Sequence, residues 1–200
     1  MYLINMTGQE ILKKFNRDKK SLDNYRDSVY DTYSYSINKS LKDNKIWSKL
    51  LKVVINHTTY NLLIVIHKKD KNYYYSEYSI YTTVYENGRK LVLAFGEDGC
   101  NPMLITPHCI KRFNERYLRG RYTDYDFLVN RFIKSLRKFP VVIMDDEDFA
   151  KGQGIGGNGT VFGEITDGIT KLKTFITNDM VREDQKLVEF ICKAKRSCLY

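Results

Sequence analysis

The sequence predicts an α+β fold: a largely antiparallel β-sheet with packed helices and a helical N-terminal segment. Three observations carry this. Runs rich in β-branched residues and tyrosine fill the stretch from 53 to 95. Two dipeptides, Asn87-Gly88 and Asp167-Gly168, are hairpin signals, because both central residues of a type I′ turn need positive φ. Two helical stretches with N-terminal capping residues follow residue 106.

Taken in order, Thr7 or Gly8 caps a first helix through about Asn16, with Ile11, Leu12 and Phe15 as its apolar stripe. Residues 17–45 are lysine-rich, tyrosine-studded and weakly periodic, compatible with further helical segments. Ile46–Leu51 begins an apolar stretch. A boundary near residue 50 divides a helical segment, 1–50, from an α+β domain, 51–200. Strands are expected at Val53–Asn56, Tyr60–His67, Tyr73–Tyr85 and Lys90–Phe95, as an antiparallel meander, followed by a loop over Glu97–Pro102. Thr106 caps the next helix and Pro107 occupies its first turn, where a missing N–H costs nothing. That helix runs to about Leu118, and Gly120 marks its end. Thr123–Asp126 opens another that stops before Pro140. Val141–Met144, Thr160–Thr166 and Ile169–Thr177 read as strands, and Asn178 caps a last amphipathic helix to about Lys195.

Composition bounds the function. The chain has 200 residues, 42% of them hydrophobic, so it can bury a real core. Lysine, asparagine, isoleucine and tyrosine crowd it, as in AT-rich genomes, phages and mobile elements among them. The formal net charge is +9, which favours polyanionic partners, and nucleic acid is the commonest polyanion in a cell. The charge concentrates in residues 106–140, where nine Lys+Arg face three Asp+Glu, a net of +6. Most of the excess there is arginine, which AT-rich coding does not favour. The longest apolar run, Leu62–Ile66, is far shorter than a membrane span. The N-terminus has neither the charged start nor the apolar core of a signal peptide. The cysteines, Cys100, Cys109, Cys192 and Cys198, form no C-x-x-C pair, and with three histidines no zinc spacing emerges. Reduced thiols and a cytoplasmic location, in a bacterial host cell, are the expectation. No cofactor and no metal are expected.

Two motifs are set aside. Gly154–Val161 matches G-x-G-x-x-G-x-V, but about forty residues follow it, with no H-R-D and no D-F-G, and strand rather than helix comes next. It reads as a connection. The acidic run Asp145–Asp148 reads as a solvated loop, because successive residues of an extended chain point in alternating directions.

The helix from 106 carries the chemistry. At about 100° per residue, Ile110, Phe113 and Tyr117 share one face. His108, Arg112, Glu115 and Arg119 share the other, with Arg116 at its flank. Imidazole titrates near neutrality and can move a proton, and guanidinium can clamp a phosphate. A surface ion-pair ladder would use the same residues at the same spacing. The tyrosines Tyr73, Tyr75, Tyr81 and Tyr85 fall on one strand face and Tyr74 and Tyr78 on the other, where they either stack bases or simply pack.

The stretch Ile105-Thr106-Pro107-His108-Cys109-Ile110-Lys111-Arg112-Phe113-Asn114-Glu115-Arg116-Tyr117 resembles the T-x-H-A-x-x-R-x-x-E-R helix of small bacterial and mobile-element proteins. These are often placed with the barnase–EndoU–colicin–RelE group of metal-independent ribonucleases and toxins. The segment Gly168–Thr177 resembles a closing strand of that group's sheet, so the resemblance spans about residues 104–178. It implies that His108 is acid or base, that Arg112 and Arg116 bind phosphate, and that Lys173 or Thr174 completes the site from the strand. Cys109 stands where the group has a small residue, the chain is longer than is usual there, and four strands precede the helix. Arg119, Arg121 and Arg131 are the expected further contacts to nucleic acid. The leading expectation is a nucleic-acid-directed protein, an endoribonuclease acting without metal on RNA. The alternatives are a non-catalytic accessory or structural protein of a phage or mobile element, bound to nucleic acid or to a protein partner, and an inhibitor of host defence.

Overall fold

A computed structural model of the chain describes residues 2–3, 5–43, 45–68, 74–95, 102–136, 141–144 and 159–180. Its class is α+β, with mostly antiparallel strand pairing and a helix at the N-terminus. The acidic run 145–148, the glycine run up to 158, the expected helix beyond 180, and Cys100, Cys192 and Cys198 lie outside the described residues. No helix among the described residues is long and apolar enough to cross a membrane.

The chain divides into two compact units: residues 1–84 with 93–102, and residues 85–92 with 103–200. A boundary at residue 50 would fall inside a strand of the first unit.

In the first unit one helix, α1 (Gly8–Lys42), replaces the short helix expected to end near Asn16. Thr7 and Glu10 close a reciprocal capping box at its start. The Thr7 backbone N–H donates to the Glu10 carboxylate and holds its pKa below the ordinary value. The buried positions of α1 are Gly8, Ile11, Phe15, Asp18, Leu22, Val29, Ile37 and Leu41, a helical stripe that continues through an acid. That stripe lies on a meander of β1 (Trp47–Ile55), β2 (Thr58–Lys68) and β3 (Tyr74–Glu86). Adjacent strands are antiparallel, with Leu50 opposite Leu63 and Leu63 opposite Ser79. Asn87 and Gly88, which belong to the second unit, form the turn before β4 (Arg89–Phe95), with φ of 48° and 75°, as the hairpin signal requires.

Asp18 is fully buried and fully engaged. Tyr60 donates its hydroxyl to Asp18 Oδ2 at 2.7 Å, and Asn56 donates its amide to Oδ1 at 2.7 Å. Lys14 Nζ lies 3.9 Å from the same carboxylate. Tyr2 shares a hydrogen bond with Tyr60, O to O 2.9 Å, and Phe15 stacks on Phe95 with centroids 4.1 Å apart. Burial of a carboxylate is tolerable only with such partners, and here they tie the first half of α1 to β2 and the turn before it.

The second unit holds β5 (Met103–Ile105), α2 (Pro107–Arg116), α3 (Tyr125–Leu136), β6 (Val141–Met144), β7 (Gly159–Thr166) and β8 (Ile169–Thr177). Its strands lie in the order β5–β8–β7–β6. β7 and β8 form the expected antiparallel hairpin, with Asp167 and Gly168 at φ of 51° and 75°. The pairs β5–β8 and β6–β7 are parallel, an arrangement a meander does not contain. β5 is three residues of what reads in sequence as irregular chain before the helix; its ladder to β8 makes it a strand. A short 3₁₀ turn, Asn178–Met180, follows β8. Phe113, Phe132, Phe175, Ile105, Ile110, Val161 and Leu172 are among its fully buried residues. Gly159 is the one residue of the glycine run with a described role: a Cβ there would meet the Phe175 ring at 2.3 Å, so the site admits no side chain.

Tyr60→Phe removes a hydrogen bond to a buried charge and should lower stability by about 2 kcal/mol. Urea unfolding followed by fluorescence of the single tryptophan, Trp47 of β1, reads this directly. A loss under about 0.5 kcal/mol would mean that Asp18 finds other partners without cost.

Burial raises the pKa of the Tyr2 and Tyr60 phenols and pushes Tyr125 up to about 12. An unfolded chain releases these protons near pH 10, while the folded chain retains them. Their contribution to stability is therefore complete below about pH 10 and declines as pH rises toward 12. The urea midpoint should hold from pH 8 to 9.5 and fall by pH 11; an unchanged midpoint at pH 11 would contradict the burial of these hydroxyls.

Candidate functional site

α2 begins where the sequence places it. Thr106 is its N-cap, accepting from the Cys109 backbone N–H at 3.2 Å. The same hydroxyl donates to the carbonyl of Leu172, 3.0 Å away, on β8. One side chain thus sets both the start of the helix and its position along the strand. Cys109, Ile110 and Phe113 turn inward. The Phe113 ring meets Phe132 edge-on at 5.1 Å and Phe175 at 5.4 Å. Cys109 takes the place of the small residue, and burial pushes its thiol pKa well up, which suits packing rather than reactivity.

The outer face carries the predicted polar groups, in three different situations. His108 is exposed, and Arg112 donates from Nε to its Nε2 at a long 3.4 Å. Arg112 also donates to Glu115 Oε2 at 2.8 Å, and Lys111 lies 3.8 Å from the other oxygen of that carboxylate. Arg116 instead turns to β8 and donates to the carbonyl of Phe175 at 2.5 Å. It therefore clamps the helix to the strand through one of its guanidinium donors.

On β8, Lys173 is exposed and ion-paired with Glu164 of β7, and Thr174 is half-buried beside it. Thr106 Oγ1 also lies 3.3 Å from the Lys173 carbonyl, so the start of α2 and the middle of β8 are neighbours. His108 and Arg112 touch each other; neither Lys173 nor Thr174 is hydrogen-bonded to them.

Beyond α2 the chain makes a fixed turn. Asn114 holds it from two sides: its carbonyl accepts from Gly120 N–H at 2.8 Å, and its side-chain amide donates to the Tyr122 carbonyl at 2.7 Å. Arg119 and Gly120 adopt left-handed backbone, φ 57° and 67°. Arg119 and Arg121 are exposed, with no acidic partner among the described residues. The nearby acids are engaged elsewhere. Asp124 caps α3 by accepting from Phe127 N–H, and Asp126 pairs with Lys90. Arg131 is exposed on α3, its guanidinium 5.5 Å from the Phe127 ring centre. Phe127 in turn lies against Tyr122, centroids 4.7 Å apart. Sequence reasoning passed over these two rings; the available signal was a pair of aromatics between arginines.

The strand tyrosines are in different situations, and Tyr85 stays exposed. Tyr81 is buried, Tyr75 stacks on His67 at 4.8 Å, and Tyr78 lies under the Arg26 guanidinium. Tyr73 is outside the described residues. Among the described residues, no three His, Cys, Asp or Glu side chains converge on a metal position.

The two arginines of α2 should separate by stability. Arg116→Ala loses a charged hydrogen bond and should cost about 1.5–3 kcal/mol in urea unfolding. Arg112→Ala loses only exposed pairings and should cost about 0.5 kcal/mol or less. Equal costs would refute this division of roles.

Comparison with family models, with curated proteins and with solved structures finds no match to this chain.

Proposed function

We propose that this chain is a nucleic-acid-directed protein that holds the phosphate backbone of RNA with the outer cations of its second unit. The observation that carries the reading is Arg119 and Arg121: two exposed guanidinium groups on a hydrogen-bonded turn, unpaired among the described residues, in the most basic stretch of the chain. Arg131 and the exposed Lys134 extend the positive surface along α3. Guanidinium groups pair with phosphate bidentately, and each contact releases condensed counterions.

His108 and Arg112 support a narrower reading, an endoribonuclease that works without metal. Once Arg112 leaves His108 Nε2 for the phosphate, that nitrogen would take the 2′-hydroxyl proton as the 2′-oxygen attacks phosphorus, with Arg112 facing the developing charge. The P–O5′ bond would break, the leaving oxygen would take a proton, and the ends would be a 2′,3′-cyclic phosphate and a 5′-hydroxyl. The Arg116 clamp and the Lys173–Glu164 pair favour binding over cleavage, because they engage two of the cations such a site would use.

Purified protein should bind RNA with an affinity that falls steeply between 50 and 200 mM salt. The double variant Arg119→Ala, Arg121→Ala should weaken binding across sequences and lower the salt slope by about one per arginine. No RNA or DNA binding at low salt would remove the proposal. Cleavage in EDTA, lost in both His108→Ala and Arg112→Ala and leaving cyclic ends, would establish the enzyme. Binding without cleavage would assign an accessory role.

A further inference from the structure

We propose that Phe127 and Tyr122, with Arg131, form a stacking platform that makes the strand recognised a single strand; this rests on the nucleic-acid reading above. Phe127 is 39% exposed, although it sits on a helix whose other apolar residues, Leu128, Val129, Phe132, Ile133 and Leu136, are buried. Burial of the core does not account for a phenylalanine on the wet face. One side of the ring is backed by Tyr122, with a 43° interplanar angle, and Arg131 lies over it from the next turn of the helix.

The backing is preorganised. The amide of Asn114 fixes the backbone of Tyr122, and Asp124 fixes the backbone of Phe127 by accepting its N–H. An aromatic ring held in place gives stacking area at little cost in ordering. Arg119 and Arg121 precede the platform along the chain and supply the charge that a base-stacking surface needs to keep a polyanion in contact.

An unpaired base offers its flat face to such a ring. A base inside a duplex offers only its edge, so stacking selects single strands and tolerates any sequence. Arg131 adds a second planar cation against which the same base or its neighbour can lie. Asp126 does not oppose this, because its carboxylate is neutralised by Lys90. The carboxylate of Asp124 is turned to the helix backbone as its cap.

The test uses the full chain and three probes of equal length and charge per strand: a thymidine 12-mer, an abasic sugar–phosphate 12-mer and a 12-base-pair duplex. Wild type should bind the thymidine strand about tenfold more tightly than the abasic one, as expected for a stacked base. Phe127→Leu retains an apolar side chain but no π face. It should weaken binding to the thymidine strand about tenfold and leave the abasic and duplex affinities within about twofold. Phe127→Trp should restore single-strand binding. Equal wild-type affinity for thymidine and abasic strands, or an unchanged thymidine affinity in Phe127→Leu, would overturn the platform while leaving phosphate binding intact. Binding to none of the three probes would overturn the platform, and absence of RNA binding at low salt as well would remove the nucleic-acid reading itself.

Discussion

The hydroxyl of Thr106 accepts from the Cys109 amide and donates to the Leu172 carbonyl, so the first turn of α2 and the middle of β8 are held by the same oxygen. Ten residues later Arg116 reaches the carbonyl of Phe175 and fastens the other end of the helix to the same strand. Between these two points Phe113 lies edge-on to Phe175. A helix fixed at both ends and in the middle cannot roll. Its outer face is therefore determined: once Ile110 and Phe113 are inside, His108, Arg112 and Glu115 must be outside. The turn that follows inherits this orientation through Asn114, which holds Gly120 and Tyr122 to the last turn of α2.

The distribution of charge follows from the same packing. Basic residues in the 106–140 stretch do three kinds of work. Arg116 bonds backbone and stabilises the fold, and Arg112 and Lys111 share Glu115. Arg119 and Arg121 have no acidic partner among the described residues and remain free to meet an anion. An exposed pair such as Arg112–Glu115 contributes only a few tenths of a kcal/mol, so a phosphate can replace it at small cost. A guanidinium that neutralises backbone carbonyl charge inside the fold cannot be withdrawn so easily. The positive surface without acidic partners among the described residues thus lies toward the turn after α2 rather than at the helix centre.

Local chemistry made much of the fold legible. Thr106-Pro107, Asn87-Gly88 and Asp167-Gly168 each obey a rule involving adjacent residues, and each appears where that rule places it. What escaped reading depends on distant partners. Asp18 interrupts the apolar stripe of α1, so the long helix looks like a short one. The acid is tolerable only because Tyr60 and Asn56, about forty residues on, complete its hydrogen bonds. β5 is too short to show periodicity and becomes a strand through parallel pairing with β8. Within the site, spacing correctly put His108 and Arg112 on one wet face. It could not distinguish Arg112 from Arg116, because that difference lies in a carbonyl fifty-nine positions away. The Phe127–Tyr122 contact had a readable signal, aromatics flanked by arginine, but exposure alone separates such a pair from core.

The central claim is one of place: nucleic acid is held on the outer surface of α2, the turn after it and α3. Ultraviolet cross-linking of bound single-stranded RNA, followed by peptide mapping of the adducts, tests this most directly. The account predicts adducts on peptides covering residues 108–134, with Tyr122 and Phe127 foremost. Adducts confined to peptides of α1 and the β1–β3 meander would contradict it.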